Sequence, residues 1–176
     1  GGIATIIRRS CVETAIIHHN VLVDGRVAHI RVEFANACCS FVNVHVHGWA
    51  DAQALAVCEL VRCLREQCLA SPQTKCAFMS GDFNYYPQDE GRTSMLFPTS
   101  TPSADDLNHH ERLLCQALHH CTDMSCNRDT HYESSSCTTA RLDRHYYLSA
   151  RWCLLELSVV GWVGGDPAVL HRRGVS

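Results

Sequence analysis

Apolar positions along this 176-residue chain follow a period of two in some stretches and of three to four in others. Residues 3–8, 14–23 and 26–34 are rich in β-branched side chains and read as strands, and Asp24-Gly25 between the last two is a strong two-residue hairpin signal. Residues 40–47 follow with Phe41, Val42, Val44 and Val46, a nearly continuous apolar run that predicts a strand covered on both faces. The chain opens as a β-meander. Asp51 then offers a helix N-cap, and Val57, Leu60, Val61, Leu64 and Cys68 recur at helical spacing while Gln53, Glu59, Arg62 and Glu66 take the other side. Ser71-Pro72 closes this amphipathic helix. Residues 75–80 are a short strand running into Gly81-Asp82-Phe83-Asn84, and residues 85–102, with Pro87, Pro98 and Pro102, form a long loop. Ser103 caps a second helix with Asp105 and Asp106 in its first turn and Leu107, Leu114, Leu118 and Cys121 on one side. Residues 140–149 and 153–160 are two further strands. With no internal repeat or interdomain linker, the pattern predicts one α/β domain over residues 1–176 with mostly antiparallel pairing.

Composition narrows the classes without choosing among them. Apolar residues make up 46% and charged residues 19% of the chain, the balance of an ordinary globular protein, and no run of about 18 apolar residues is present to cross a bilayer. No membrane partner is expected. Fifteen Lys and Arg against 18 Asp and Glu leave a formal charge of -3, so a nucleic acid would be met by a local groove rather than by a bulk basic field. Twelve Cys, with no secretory start at Gly1-Gly2-Ile3, read as thiols buried like small apolar groups in a reducing compartment rather than as a disulfide framework. Twelve His raise the question of zinc, but the Cys-x4-Cys-x4-His spacing of Cys121, Cys126 and His131 matches none of the common structural patterns. The chain begins at Gly1 rather than Met, and its length is read as that of a fragment.

Residues with chemistry gather at strand ends. Asn43 and His45, two apart on one strand, project to the same side, and Asp82 and Asn84 leave the next strand side by side behind Gly81. Thr130-His131-Tyr132 precedes the last strands, and Arg141-Leu142-Asp143-Arg144 begins them. Acids beside amides and imidazoles at a sheet edge supply what a hard divalent cation and a phosphate need: oxygen ligands, an acid to orient water, and donors to phosphate oxygens. Taken singly, each segment has an ordinary structural reading: a turn at Gly81-Asp82, an exposed strand pair at Asp143-Arg144, a strand start at Thr130, a hydrogen-bonded core residue at His45. Their order and spacing as a set point to function.

In that order and spacing the chain resembles the endonuclease/exonuclease/phosphatase superfamily, and is most similar to the endonuclease domains of non-LTR retrotransposons. The residues that carry the resemblance are Gly1-Gly2-Ile3-Ala4 leading into a strand, Val42-Asn43-Val44-His45, Ser80-Gly81-Asp82-Phe83-Asn84, Thr130-His131-Tyr132 and Arg141-Leu142-Asp143-Arg144. The resemblance covers nearly the whole chain and implies a DNase I-like, four-layer α/β sandwich of two mainly antiparallel sheets flanked by helices. It implies a Mg²⁺-dependent or Mn²⁺-dependent phosphodiesterase that nicks DNA by in-line attack of water, fused to a reverse transcriptase and working inside the cell, in the nucleus. By the same resemblance Asp82 orients or deprotonates the attacking water and Asn84 contacts the scissile phosphate. Asn43 and His45 contact or protonate phosphate oxygens, with Arg144 as a further phosphate-binding group, and Asp143 hydrogen-bonds the catalytic histidine and holds its tautomer.

The departures from the family bear on activity. Related nucleases often place Tyr where His45 stands. The family's metal-binding Glu precedes the Gly-Gly strand and its closing Ser-Asp-His follows the point where this chain ends in Val175-Ser176, so neither the Glu nor the Asp-His pair is present. Gly165-Asp166-Pro167 offers the acid of the closing motif without its His. The metal ligands are therefore unassigned, and the expectation is a domain truncated at both ends and inactive as it stands. A phosphatase or sphingomyelinase-type phosphodiesterase of the same superfamily, with which Asn43-x-His45 is also compatible, and a degenerate non-catalytic remnant are the alternatives.

Overall fold

The computed structural model describes residues 3–46, 50–71, 75–84, 93–94, 109–124, 131–133, 138–140 and 143–149, and these form an α/β structure. Strands β1 (Ile16–Val23), β2 (Val27–Glu33) and β3 (Cys38–His45) pair antiparallel in sequence order, as the meander pattern requires. The β1–β2 connection is Asp24, Gly25 and Arg26, one residue longer than the Asp-Gly signal suggests. Gly25 takes φ 62, Arg26 N donates to Val23 O at 2.9 Å, and the register slips between Val21 and Val23. A three-residue loop with a left-handed glycine and an adjoining bulge closes hairpins almost as readily as the two-residue turn. Residues 3–8 form no strand and lead instead to a short 3-10 helix at Arg9–Cys11. Asn43 Nδ2 donates to Ala4 O at 2.9 Å, so a side chain rather than a ladder holds this segment.

Helix α1 (Asp51–Ala70) carries the chain from β3 to β4 (Lys75–Asp82), the parallel neighbour of β3. Ala50, rather than Asp51, occupies the N-cap, with extended φ -84 and ψ 156 and no side-chain bond to the helix. What fixes α1 is burial of Ala54, Val57, Val61, Leu64 and Cys68, a stripe at helical spacing, more than a cap. Further elements are β5 (Thr93–Ser94), α2 (His109–Leu118), β6 (Thr122–Asp123), β7 (His131–Glu133), β8 (Thr138–Ala140) and β9 (Asp143–Ser149). Strand β5 falls within the expected loop of residues 85–102, and the expected strand over 140–149 falls on the last residue of β8 and on β9, with residues 141 and 142 outside the described residues. The predicted cap at Ser103 and the predicted strand over 153–160 lie outside the described residues.

A mixed six-stranded sheet runs in the order β1-β2-β3-β4-β9-β6, and a three-stranded sheet in the order β5-β8-β7. Among the described pairings β3–β4 alone is parallel. Alternation along β3, β4 and β9 separates two faces of the larger sheet. One presents Val42, Val44, Val46, Ala77, Met79, Tyr146 and Leu148, all buried, to the stripe of α1 and to Leu114 and Leu118 of α2; this is the core. On the other face Phe41 is 37% exposed, so residues 40–46 alternate instead of being covered equally on both sides. Among the described residues no helix is long and apolar enough to cross a membrane.

Candidate active site

At the end of β4, Gly81-Asp82-Phe83-Asn84 shows how each residue type is fixed. Gly81 has φ 137, and a Cβ there would lie 1.9 Å from Val44 O on the adjacent strand, so glycine alone lets β4 run this close to β3. Phe83 is fully buried and meets Tyr146 edge-on, with ring centroids 5.3 Å apart at 82°, which pins the strand end from the core side. Asp82, between these two and on the opposite face, accepts a hydrogen bond from Asn84 N at 2.8 Å. That bond closes a turn in which Asn84 takes φ 46, a region that Asn tolerates better than most residues.

Register places Asp82 at the centre of a row. His45 stands opposite it in the parallel pair and Asp143 opposite it in the antiparallel pair, all three on the face away from the core. Neighbouring strands lie about 4.8 Å apart, so the row spans about 10 Å. One step along the strands a second row runs Asn43, Ser80, His145, with Ser80 Oγ and His145 Nδ1 3.0 Å apart. The third row is aromatic: Phe41 stacks on Phe78 at 5.6 Å, and Phe78 meets Tyr147 at 4.9 Å. The polar rows thus sit at the C-terminal ends of β3 and β4, where crevices in parallel α/β units usually bind ligands.

Of the residues singled out from sequence, Asn43, His45, Asp82 and Asp143 share this face, and Asn84 is tied to Asp82 through its backbone. Arg144, expected to bind phosphate, does not join them. It is out of phase with Asp143 by one residue and therefore faces the core side, 1% exposed, with Nη1 3.4 Å from Asp123 Oδ2 on β6. A guanidinium taken out of water needs such a partner, and the pair ties β9 to the edge strand. The amide of Asn43 is engaged with Ala4 O, so it also anchors the segment that precedes the 3-10 helix. His131 and Tyr132 form β7, while Thr130, Arg141 and Leu142 lie outside the described residues. His145 is absent from the sequence-based set, although the two-residue rule that joins Asn43 to His45 equally joins Asp143 to His145.

Asp82 and Asp143 are the acidic oxygen donors of the two polar rows. Among the described residues no three His, Cys, Asp or Glu side chains gather to hold a metal ion. Asp82 and Asp143 are the residues of this face that could ligate a cation, and any such ion would need oxygens from elsewhere to complete its shell. For the zinc spacing, Cys126 lies outside the described residues, and burial pushes the Cys121 thiol up to about 12, away from the thiolate that zinc requires.

No family model matches the chain, and no curated protein matches it either. Among solved structures it is similar to the endonuclease domain of TRAS1, a telomere-specific non-LTR retrotransposon, at 10% identity and a TM-score of 0.45, over 75% of this chain and 53% of that one. It is similar to truncated TDP2 of Caenorhabditis elegans at 15% identity and a TM-score of 0.42, over 78% of this chain and 54% of that one. A third similarity is to beta toxin of Staphylococcus aureus, at 11% identity and a TM-score of 0.34, over 69% of this chain and 42% of that one. The chain spans about half the length of the solved structures it matches.

Proposed function

We propose that the face carrying His45, Asp82 and Asp143 is the hydrolytic face of a divalent-metal-dependent phosphodiesterase that nicks DNA. The observation that carries this reading is the row itself, an imidazole and two opposed carboxylates at the C-terminal ends of the parallel pair. Mg²⁺, or Mn²⁺ in its place, would be held by Asp82 and Asp143 with water and phosphate oxygens, and when bound supplies the positive charge that offsets charge developing on phosphate. The chain's own residues do the rest. Asp82, tied to the backbone of Asn84, orients the attacking water. His45 donates to a phosphate oxygen, and Asn84, held in its turn by Asp82, presents its amide to the scissile phosphate. His145, anchored at Nδ1 by Ser80, is a second imidazole on the same face.

The wider proposal is that residues 1–176 form one domain, a four-layer DNase I-like sandwich in which a second sheet covers this face. The domain is joined to a reverse transcriptase and acts in the nucleus. The test is conversion of supercoiled plasmid to open circles, run on this chain and on the product of its coding DNA read further in both directions. The longer product is expected to nick with Mg²⁺, to stop with EDTA, and to lose activity in Asp82→Ala with an unchanged circular dichroism spectrum. Nicking that survives Asp82→Ala overturns the reading. Turnover of sphingomyelin or a phosphoinositide with plasmid left intact moves the substrate out of nucleic acid.

A further inference from the structure

Away from the polar rows, the same face ends in a pair of thiols. Cys39 and Cys76 are register partners in the parallel β3–β4 pair, and their sulfurs lie 3.4 Å apart. Both are half-buried thiols in this structure. Adjacent strands are about 4.8 Å apart, which falls inside the 4.4–6.8 Å range of Cα separations spanned by disulfides, so side-chain rotation alone can bring the two sulfurs to bonding distance.

The neighbouring thiol does not compete. Cys38 precedes Cys39 on β3, and alternation sends its side chain to the opposite face. Burial pushes the Cys38 thiol up, whereas the hydrogen bond donated by the Cys76 thiol brings Cys39 down from 9.0 to about 7. Cys39 is therefore the sulfur that becomes a thiolate first and attacks. A bond between residues 39 and 76 would close the loop that contains the rest of β3, all of α1 and the start of β4.

We propose that Cys39 and Cys76 are a reversible disulfide site that staples β3 to β4 around α1, formed by exchange with a small-molecule disulfide such as glutathione disulfide. The Cys39 thiolate attacks one sulfur of glutathione disulfide, making a mixed disulfide and releasing one glutathione thiolate. Cys76 then attacks the Cys39 sulfur and displaces the second glutathione, and its proton passes to the departing thiolate. Two protein thiols are oxidised by two electrons while one glutathione disulfide is reduced to two glutathiones. The bridge lies beyond Phe41 and Phe78 from the row of His45, Asp82 and Asp143, so it stiffens the two strands without occupying their polar end. The proposal stands independently of the phosphodiesterase reading.

The test equilibrates the full 176-residue chain with glutathione buffers of increasing disulfide content, quenches with an alkylating agent and maps the digest by mass spectrometry. The expected product is one intramolecular cross-linked peptide pair containing Cys39 and Cys76, reversed by excess reduced glutathione. Cys39→Ser and Cys76→Ser are each expected to abolish it, while Cys38→Ser leaves it in place. The unmutated chain gives a second measurement that needs no variant to fold: closing a loop of about 40 residues should raise Tm by about 10 °C in the oxidised protein. Alkylation of both Cys39 and Cys76 across the whole series, a bond from Cys39 to Cys38, or a bond between two chains overturns the proposal. A Tm that does not rise in the bridged protein overturns the staple.

Discussion

The two faces of β3, β4 and β9 are built from alternate residues of the same strands, yet they differ almost completely in content. Toward the helices lie Val42, Val44, Val46, Met79, Tyr146 and Leu148, every one buried. Away from the helices, at one end, lie Asn43, His45, Ser80, Asp82, Asp143 and His145 in two registered rows. Because side chains alternate strictly, each position that serves the core frees its neighbour from that duty, and a slip of one residue would exchange the two sets. The solvent side of a sheet needs only to be polar. Imidazoles, an amide and carboxylates aligned across three strands are more specific than solubility requires. Arg144 shows the limit of the pattern: one residue out of phase with Asp143 and His145, its cation pairs with Asp123 on the core side instead of standing among the acids.

The contrast can be broken most severely at Gly81, where the strand passes from one duty to the other. Gly81→Ala brings a Cβ to 1.9 Å from Val44 O at a positive φ. The expected loss is about 4 kcal/mol or more, read as a collapse of the urea unfolding midpoint. Next come two adjacent residues on opposite faces. Phe83→Ala removes a fully buried ring and should destabilise the fold by about 3–5 kcal/mol. Asp82→Ala gives up the hydrogen bond from Asn84 N and should shift stability by about 1 kcal/mol, while abolishing the plasmid nicking expected of the longer product. Equal losses of stability from the two substitutions would show that the outer face also serves folding, and the division would fail.

Local pattern was enough to find β1 to β4 and α1. The elements at residues 14–23, 26–34, 40–47 and 75–80 recur in the structure within about two residues at each end, because alternation and β-branching act over neighbouring positions. Local signals misled where tertiary packing decides: Asp51 looks like a cap, but the apolar stripe of α1 sets the start of the helix at a residue capped by Ala50. Residues 3–8 have the composition of a strand, yet their backbone is held through the amide of Asn43. The site was legible as residue types and illegible as an arrangement. Nothing local says that β9 lies beside β4, and only that pairing sets Asp143 opposite Asp82. Charge draws attention to Arg144 and away from its neighbour His145; alternation counted from Asp143 puts His145, not Arg144, on the face of Asp82.

Two smaller effects sharpen the comparison. On the outer face, Ser80 and His145 are linked across β4 and β9 at 3.0 Å. A double-mutant cycle with Ser80→Ala and His145→Ala should give a coupling of about 1 kcal/mol in urea unfolding, and additive losses would mean that the pair is not engaged.

The core side has an imidazole of its own, and it should behave differently. His29 on β2 faces Ser40, with Nε2 3.1 Å from Ser40 Oγ, and burial, with the charge of Arg31 adding to it, lowers its pKa below the ordinary 6.5. The unfolded chain then binds the proton more readily than the folded one. The contribution of His29 to stability is complete above pH 6.5 and is lost as the pH falls through that value and on through the lower folded pKa. His29→Gln keeps a hydrogen-bonding group near Ser40 but cannot titrate. Between about pH 7.5 and about pH 5.5 the urea midpoint of the parent chain should therefore fall slightly further than that of the variant, and the His29 ring should titrate below 6.5 by NMR. Parallel pH profiles for the two proteins, with His29 titrating at or above 6.5, would mean that the core side leaves this imidazole as open to protons as an exposed one.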